Sequence, residues 1–180
     1  MVGQKFLESL AEGPAAADVQ VTVLCEEPRP AYDRVHLSEF FAGKSAEDLS
    51  LVEPGFFERT GISLRLAAQA ASIDRAARIV TTRTGEQLPY DKLVLATGSS
   101  PFVPPVPGRE RADCFVYRTI EDLEAMAACG AHAKTGVVIG GGLLGLEAAN
   151  GLAQRGMDVT VIHLAEWLME RQLDRTAADM

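Results

Sequence analysis

The feature that most constrains the fold of this chain is a glycine pattern within residues 135–163. A β-branched run at residues 137–139 precedes three glycines with the spacing G-x-G-x-x-G, at Gly140, Gly142 and Gly145. Apolar residues at helical spacing follow as far as Gly156, and a second β-branched run comes after them. A strand, a tight turn, a helix and a second strand in this order are typical of a dinucleotide-binding βαβ unit. The sequence therefore predicts an α/β fold with a parallel sheet here.

Each glycine of the motif has its own physical reason. Gly140 permits a tight turn, Gly142 lets a pyrophosphate approach the backbone, and Gly145 lets the helix pack closely against the strand. The helix N-terminus offers free N–H groups and the positive end of the helix dipole to the phosphates. The alternative is a glycine-rich turn without a ligand, and the flanking strand and helix favour the dinucleotide.

Three side chains near this motif bear on how a nucleotide binds. The residue that ends the second strand, 23 positions after Gly140, is usually an acid that binds the ribose hydroxyls, and here it is His163. Glu166 lies beyond the usual place and no arginine follows immediately, so NAD is favoured while the choice between NAD and NADP stays open. Glu147 is a candidate to orient a nicotinamide, or else an acid that complements the helix dipole in the first turn.

A second, shorter copy of the unit lies at the start of the sequence. When the chain is compared with itself at a shift of 142 residues, Gly3 matches Gly145, and the second strands of the two copies also match. Glu26 and Glu27 then occupy the acid position. We therefore expect the chain to begin on the last three residues of a glycine motif, without that motif's first strand and first two glycines. Two such units indicate two dinucleotides, typically a flavin and a nicotinamide.

The segment between the two copies predicts short strands, with a hairpin at residues 84–85. An apolar strand is then expected within residues 90–96. The small-residue turn that ends it, at Thr97 and Gly98, lets the backbone approach a bound ring, and a strand and loop of no special role is the alternative. Prolines within residues 101–107 mark a linker.

Composition excludes several classes of protein. A net charge of −8 over 180 residues repels phosphate backbones, so nucleic acid is not expected as a partner. The sequence has no apolar run of about 18 residues, so no membrane span is predicted, and residues 1–10 lack the features of a signal peptide. The three cysteines have no paired spacing, which argues against a disulfide framework or a metal site and favours the cytoplasm.

We place the boundary between two domains after residue 116. Residues 1–116 form the predicted FAD-binding domain, without its first strand and C-terminal return, and residues 117–180 form the N-terminal part of the NAD(P)-binding domain. Thr119, with Asp122 three residues on, predicts a capping box that starts a helix after the linker. The sequence suggests no packing partner for the apolar residues 167–169.

The chain resembles the flavoprotein disulfide reductase superfamily of two-dinucleotide-fold enzymes, in its ferredoxin- and rubredoxin-reductase-like branch. Within that branch it is similar to the large subunits of NAD(P)H-dependent assimilatory nitrite reductases. The residues that carry the resemblance are CEEPRPAYDRVHLSEFF, LSLVEPGFFERTGI, DCFVYRTIEDLEAM and GGGLLGLEAANGL. The resemblance implies two Rossmann-like units of the FAD/NAD(P)-binding, three-layer ββα type, both incomplete in this sequence.

The resemblance also implies FAD in the first unit and NAD(P)H in the second. The residues carried over to FAD are Gly3, Glu26 or Glu27, Arg34, Thr97 and Gly98, with the backbone near Ala70 against the adenine. Those carried over to the nicotinamide cofactor are Gly140, Gly142, Gly145 and Glu147, with His163 at the ribose position. No catalytic residue is assigned.

The function implied is an oxidoreductase that passes electrons from NAD(P)H through FAD, and then through an iron–sulfur centre and siroheme, to reduce nitrite to ammonia. Siroheme and the iron–sulfur centre are expected only in regions outside this sequence, and a small nitrite reductase subunit is the expected partner. The alternatives are an NAD(P)H:ferredoxin or rubredoxin reductase and a non-catalytic fragment. Because the first two glycines of one motif and the metal ligands are missing, we expect the isolated chain to bind FAD weakly or not at all and to reduce no nitrite.

Overall fold

A computed structural model describes all 180 residues of the chain. The α-helices are α1 (Val2–Ala11), α2 (Phe56–Thr60), α3 (Ile120–Gly130), α4 (Leu143–Gln154) and α5 (Arg175–Ala178). The strands are β1 (Thr22–Leu24), β2 (Ser63–Arg65), β3 (Ala70–Asp74), β4 (Ile79–Thr82), β5 (Gln87–Pro89), β6 (Thr135–Ile139) and β7 (Asp158–Ile162). Two 3₁₀ turns lie at Ala16–Asp18 and Leu37–Phe40. Not one of these helices has the length and apolar character that crossing a membrane requires.

The chain forms two compact units. The first contains Met1–Asp33 and Leu49–Gly98, and the second contains Arg34–Asp48 and Ser99–Met180. This division differs from the domains 1–116 and 117–180, because residues 34–48 and 99–116 pack with the later part of the chain. The sequence boundary stays a prediction about the cofactor-binding domains.

The first unit holds two small sheets. β1 and β2 pair in parallel, and β3, β4 and β5 form an antiparallel sheet in that order. The predicted hairpin is confirmed as the β4–β5 pair, whose turn places Gly85 at a φ of +88°. Only a residue without a side chain adopts this left-handed conformation readily.

The core of the first unit lies between α1, α2 and the start of β2. Leu7, Phe56 and Ile62 are its buried residues, and Val23 of β1 and Val52 pack against them. Each of these three buried residues is less than a tenth exposed, so the burial of apolar surface holds the two helices to the parallel pair.

The strand predicted within residues 90–96 is not present. Residues 93–100 lack regular secondary structure, and Leu95 is 67% exposed. A parallel strand needs a neighbour to satisfy its backbone N–H and C=O groups. The parallel sheet of this unit consists of β1 and β2 alone, so the apolar sequence of this segment has no strand with which to pair.

The second unit contains the βαβ arrangement that the glycine motif predicts. β6 and β7 are parallel, with Val137 opposite Thr160, and α4 connects them. The helix ends just before Gly156, which has a φ of +83°, as expected for a glycine that follows a helix C-terminus. Val137 and Ile139 are 61% and 62% exposed, so one face of this sheet is left uncovered.

Helix α3 begins with the predicted capping box. The Thr119 side chain accepts a hydrogen bond from the backbone N–H of Asp122 at 3.2 Å, and the Asp122 carboxylate accepts one from the Thr119 N–H at 2.8 Å. Ile120 and Leu123 in the first turn are fully buried. The cap thus fixes the start of the helix where it enters the core of the second unit.

Candidate functional site

The glycine turn between β6 and α4 has a different geometric requirement at each glycine. Gly140 has a φ of +119°, and a Cβ atom added at Gly142 would meet no atom within 4 Å. A Cβ atom added at Gly145 would lie 1.8 Å from the carbonyl oxygen of Gly140. The turn therefore needs glycine at the first position and allows no side chain at the third, while the space beside the second is open to a ligand.

The N-terminus of α4 is available to an anion. Its N-cap residue is Gly142, which has no side chain to cap the helix, and no acid lies in the first turn. The first hydrogen bond of the helix runs from the N–H of Leu146 to the carbonyl of Gly142, so the N–H groups of residues 143–145 have no partner within the helix. Free donors and the helix dipole beside an open space fit the pyrophosphate of a dinucleotide.

Glu147 lies in the second turn of α4, as the fifth helical residue. The alternative that it complements the helix dipole from the first turn is therefore wrong, because that effect falls off within one turn. Its carboxylate acts on Tyr117 instead. Burial of the Tyr117 hydroxyl, and next the negative charge of Glu147, raise the pKa of Tyr117 to about 12.

The Tyr117 hydroxyl is buried and has no hydrogen-bond partner of good geometry, although Ser38 and Glu147 lie near enough to influence its pKa. Its ring stacks on Phe41, with the ring centres 6.2 Å apart. Phe41 in turn packs on α4 at Gly151, where an added Cβ atom would lie 2.3 Å from the Phe41 ring. Segment 34–48 is thereby tied to α4, which explains why it belongs to the second unit.

His163, at the end of β7, connects two parts of the site. Its Nδ1 accepts a hydrogen bond from the backbone N–H of Gly141 at 3.1 Å, and its Nε2 lies 3.0 Å from Oε2 of Glu170. The apolar residues after it have partners that the sequence did not indicate. Trp167 donates its indole N–H to the carbonyl of Leu173, and the segment containing it folds back onto the glycine turn.

In the first unit, the structure places Gly3 on α1 against the small-residue turn. A Cβ atom added at Gly3 would lie 3.4 Å from Cβ of Ala96, which is an ordinary van der Waals contact. Thr97 is exposed, and Gly98 has a φ of +69°. The structure thus brings Gly3 close to the turn containing Thr97 and Gly98, as a shared flavin site would require.

The two acids after β1 have different partners. Glu26 is exposed and accepts a hydrogen bond from the side chain of Gln69 at 3.0 Å, next to Ala70 at the start of β3. Glu27 accepts one from the hydroxyl of Tyr32 at 2.7 Å. The acids and Ala70 therefore lie in one region of the first unit.

Arg34 belongs to the second unit, unlike the other residues carried over to FAD. Its guanidinium donates a hydrogen bond to the backbone carbonyl of Arg118 at 2.9 Å. No group of three or more His, Cys, Asp or Glu residues is arranged to hold a metal ion.

Sequence reasoning missed Gly141 and Glu170. Gly141 is not one of the three motif glycines, and the signal for it was the uninterrupted run of three glycines at residues 140–142. Glu170 lies seven residues beyond His163, and no sequence spacing predicts their contact because it depends on how the intervening turn folds.

Comparison with known proteins places this geometry among flavin- and nicotinamide-dependent reductases. The family model described as pyridine nucleotide-disulphide oxidoreductase matches residues 5–180. The nitrite reductase [NAD(P)H] large subunit of Klebsiella oxytoca is 56% identical over 180 residues, covering all of this chain and 19% of that protein. The nitrite reductase (NADH) large subunit of Escherichia coli (strain K12) is 49% identical, covering 99% of this chain and 21% of that protein.

A solved structure agrees with this placement. A ferredoxin reductase from Rhodopseudomonas palustris superposes with a TM-score of 0.83 at 28% identity, over 97% of this chain and 42% of that chain. The chain thus spans about a fifth of the curated relatives it matches at high identity and less than half of the solved reductase.

Proposed function

Because this chain belongs to the pyridine nucleotide-disulphide oxidoreductase family, we propose that it is the electron-input segment of an NAD(P)H-dependent nitrite reductase. Membership of the family, predicted from the sequence and now confirmed, implies binding of FAD and NAD(P)H. The observation that carries the proposal is the open, uncapped N-terminus of α4 beside Gly142, at the end of a parallel strand. The high identity to nitrite reductase large subunits supports the finer assignment.

In the proposed nicotinamide site, the residues of the second unit have different roles. The turn at Gly140 and Gly142 and the free N–H groups of residues 143–145 bind the pyrophosphate. Glu147, one turn further along α4, lies deeper in the unit and orients the nicotinamide end. Gly145 keeps the helix in contact with the turn, so that the N–H groups stay aligned with the phosphates.

In the proposed FAD site, Gly3, Thr97 and Gly98 allow the backbone to approach the cofactor, and Glu26 or Glu27 binds the ribose. Glu26 fits the ribose role better, because it is exposed and its hydrogen bond from Gln69 lies at the surface, whereas Glu27 accepts a hydrogen bond from the buried Tyr32. When both cofactors are bound, they supply hydride transfer from NAD(P)H to FAD and onward release of electrons to an acceptor.

We propose nitrite as the terminal acceptor of the whole protein. The relatives that support this are about five times longer than the chain, so siroheme, the iron–sulfur centre and a small subunit partner are assigned to regions and proteins outside this sequence. The cytoplasm is the proposed location, because the three cysteines are free thiols in the structure.

A second candidate is an NAD(P)H-dependent ferredoxin reductase. The observation that favours it is the close superposition on the ferredoxin reductase of Rhodopseudomonas palustris. Both candidates use the same nucleotide site and differ in the acceptor.

The nucleotide site is tested by Gly142→Ala, which adds a methyl group in the open space beside the turn. We expect the variant to fold normally and to bind NADH about tenfold or more weakly, because the methyl group occupies the position of the pyrophosphate. Binding is measured in the intact protein by isothermal titration. The matched control is Gly130→Ala, where the added Cβ would make an ordinary contact 3.5 Å from the Met157 sulfur, and unchanged binding is expected. Equal affinities in the two variants would contradict the proposed site.

The acceptor is tested separately, with NADH as donor and ferricyanide, nitrite or a ferredoxin as acceptor. Reduction of both ferricyanide and nitrite by the whole protein that contains this segment supports the nitrite reductase assignment. Reduction of ferricyanide and ferredoxin without nitrite reduction favours the second candidate. Failure to reduce ferricyanide contradicts both.

A further inference from the structure

The ribose end of the nucleotide site contains a bridged pair of side chains where an acid usually stands. The N–H of Gly141 points its hydrogen at Nδ1 of His163, so Nδ1 must carry a lone pair and the proton of the neutral ring lies on Nε2. That Nε2–H then donates to Oε2 of Glu170 at 3.0 Å. This tautomer follows from the hydrogen bonds. The imidazole thus links the glycine turn to a carboxylate.

Backbone hydrogen bonds hold the segments on either side of the His163–Glu170 pair. The carbonyl of Gly141 accepts a hydrogen bond from the N–H of Met169 at 2.9 Å. Met169 has a φ of +55°, a left-handed conformation that is costly for a residue with a side chain. Its carbonyl accepts hydrogen bonds from the N–H groups of Gln172 and Leu173, which stabilise the turn. Glu170 therefore follows a tightly held residue, and its position is set by the turn.

Close packing at Gly141 leaves room only for glycine beside the His163–Glu170 pair. A Cβ atom added at Gly141 would lie 2.4 Å from Cδ2 of Leu168 and 2.9 Å from Cγ of His163. A side chain at this position would thus separate the turn from the segment that carries Glu170.

Glu170 retains the capacity to bind a hydroxyl. Its hydrogen bond to His163 uses Oε2, while Oε1 has no partner, and the side chain is 36% exposed. A carboxylate with a free oxygen accepts a hydrogen bond from a ribose 2′-hydroxyl and repels a 2′-phosphate. Two arginines follow Glu170 in the sequence. The guanidinium of Arg175 forms ion pairs with the carboxylates of Glu166 at 3.7 Å and Asp179 at 3.8 Å. The side chain of Arg171 is exposed.

We propose that Glu170 is the residue that selects NADH over NADPH, and that His163 is its positioning residue. In this arrangement the His163–Glu170 pair replaces the single acid that ordinarily ends the second strand. The inference rests on the proposed nucleotide site, and it names the substrate class that this site prefers.

The test is Glu170→Gln, which keeps the size of the side chain and removes its charge. Affinities for NAD⁺ and NADP⁺ are measured by isothermal titration in the intact protein. We expect NAD⁺ to bind about tenfold more weakly, since a hydrogen bond to a charged group is replaced by a neutral one, and NADP⁺ to bind at least as well as before. The preference for NAD⁺ therefore falls by about tenfold or more.

The matched control is Glu166→Gln, which removes the same charge from the same segment at a side chain that faces Arg175. We expect the preference to change less than twofold. An equal change in both variants would show that only the overall charge matters, and would overturn the assignment of Glu170.

The positioning role of His163 has its own readout. His163→Ala should lower the preference for NAD⁺ as much as Glu170→Gln does, and the double variant His163→Glu with Glu170→Gln should restore it by placing an acid directly at the strand end. No restoration, with thermal stability unchanged, would overturn this role.

Two further outcomes separate this inference from the proposed function. If the unmodified protein binds neither nucleotide, the proposed site fails. If it binds NADP⁺ more tightly than NAD⁺, and Arg171→Gln removes that binding, the site stands and the selection by Glu170 is wrong.

Discussion

The two units of this chain place a glycine at corresponding positions of helices α1 and α4, yet the two glycines have different surroundings. A Cβ atom added at Gly145 would lie 1.8 Å from the carbonyl oxygen of Gly140, whereas one added at Gly3 would lie 3.4 Å from a side-chain carbon of Ala96. The first distance is impossible without movement of the backbone, and the second is an ordinary contact.

The third glycine of the motif is therefore required by the turn that precedes the helix. In the second unit, β6 and Gly140 lead directly into α4, and their backbone passes under the first turn of the helix. In the first unit, the same helix position faces the Cβ atom of Ala96 at an ordinary van der Waals distance, so a methyl group fits there without movement of the backbone. A glycine match between two sequences therefore does not by itself establish equal packing.

The largest expected effect comes from adding a methyl group at each of these glycines. Gly145→Ala should destabilise the second unit by about 3 kcal/mol or more, because a backbone oxygen must shift in a close-packed region. Gly3→Ala should change the free energy of unfolding by less than about 0.5 kcal/mol, apart from a gain in helix propensity. Urea unfolding of both variants measures these values. Similar losses in the two variants would show that the two helices are packed alike.

The second unit was more predictable from the sequence than the first, for a physical reason. The glycine spacing, the helix periodicity and the capping box at Thr119 are local patterns, and each sets the conformation of its own residues. The expected strand at residues 90–96 depended on a partner strand, and pairing is a tertiary property that the apolar sequence alone does not guarantee. The hydrogen bond between His163 and Glu170 depends on the left-handed conformation of Met169, and a methionine at that position gives no sign of such a conformation.

The two units also differ in the hydrogen bonding of a tyrosine hydroxyl. Tyr32, in the first unit, donates a hydrogen bond to Glu27 at 2.7 Å, whereas the hydroxyl of Tyr117, in the second, is buried without a partner. Tyr32→Phe should cost about 1.5–3 kcal/mol, because it removes a hydrogen bond to a charged group. Tyr117→Phe should be neutral or stabilising, since no hydrogen bond is lost. Thermal unfolding tests both, and a larger loss for Tyr117→Phe would reveal a partner for its hydroxyl.

The starts of the helices give a smaller contrast. The N-cap residue of α1, Met1, makes no side-chain hydrogen bond, whereas α3 starts with the reciprocal bonds of Thr119 and Asp122. Thr119→Ala should cost about 1 kcal/mol, and Thr119→Ser should retain most of the stability because serine accepts the same hydrogen bond. Urea midpoints of the two variants give the difference. Equal losses would mean that the methyl group of Thr119 matters more than its hydroxyl.

The smallest expected effect is the response of the second unit to alkaline pH. Burial, and next the charge of Glu147, raise the pKa of Tyr117 from 10.0 to about 12, so the folded state favours the protonated phenol. This contribution to stability is fully present below pH 10 and is lost as the pH rises through 12. Absorbance at ~295 nm, where tyrosinate absorbs, should therefore show a tyrosine titrating near pH 12, and Tyr117→Phe should remove that step. The control is Glu147→Gln, which should move the step to lower pH and leave it present. A step near pH 12 that persists in Tyr117→Phe would contradict its assignment to Tyr117.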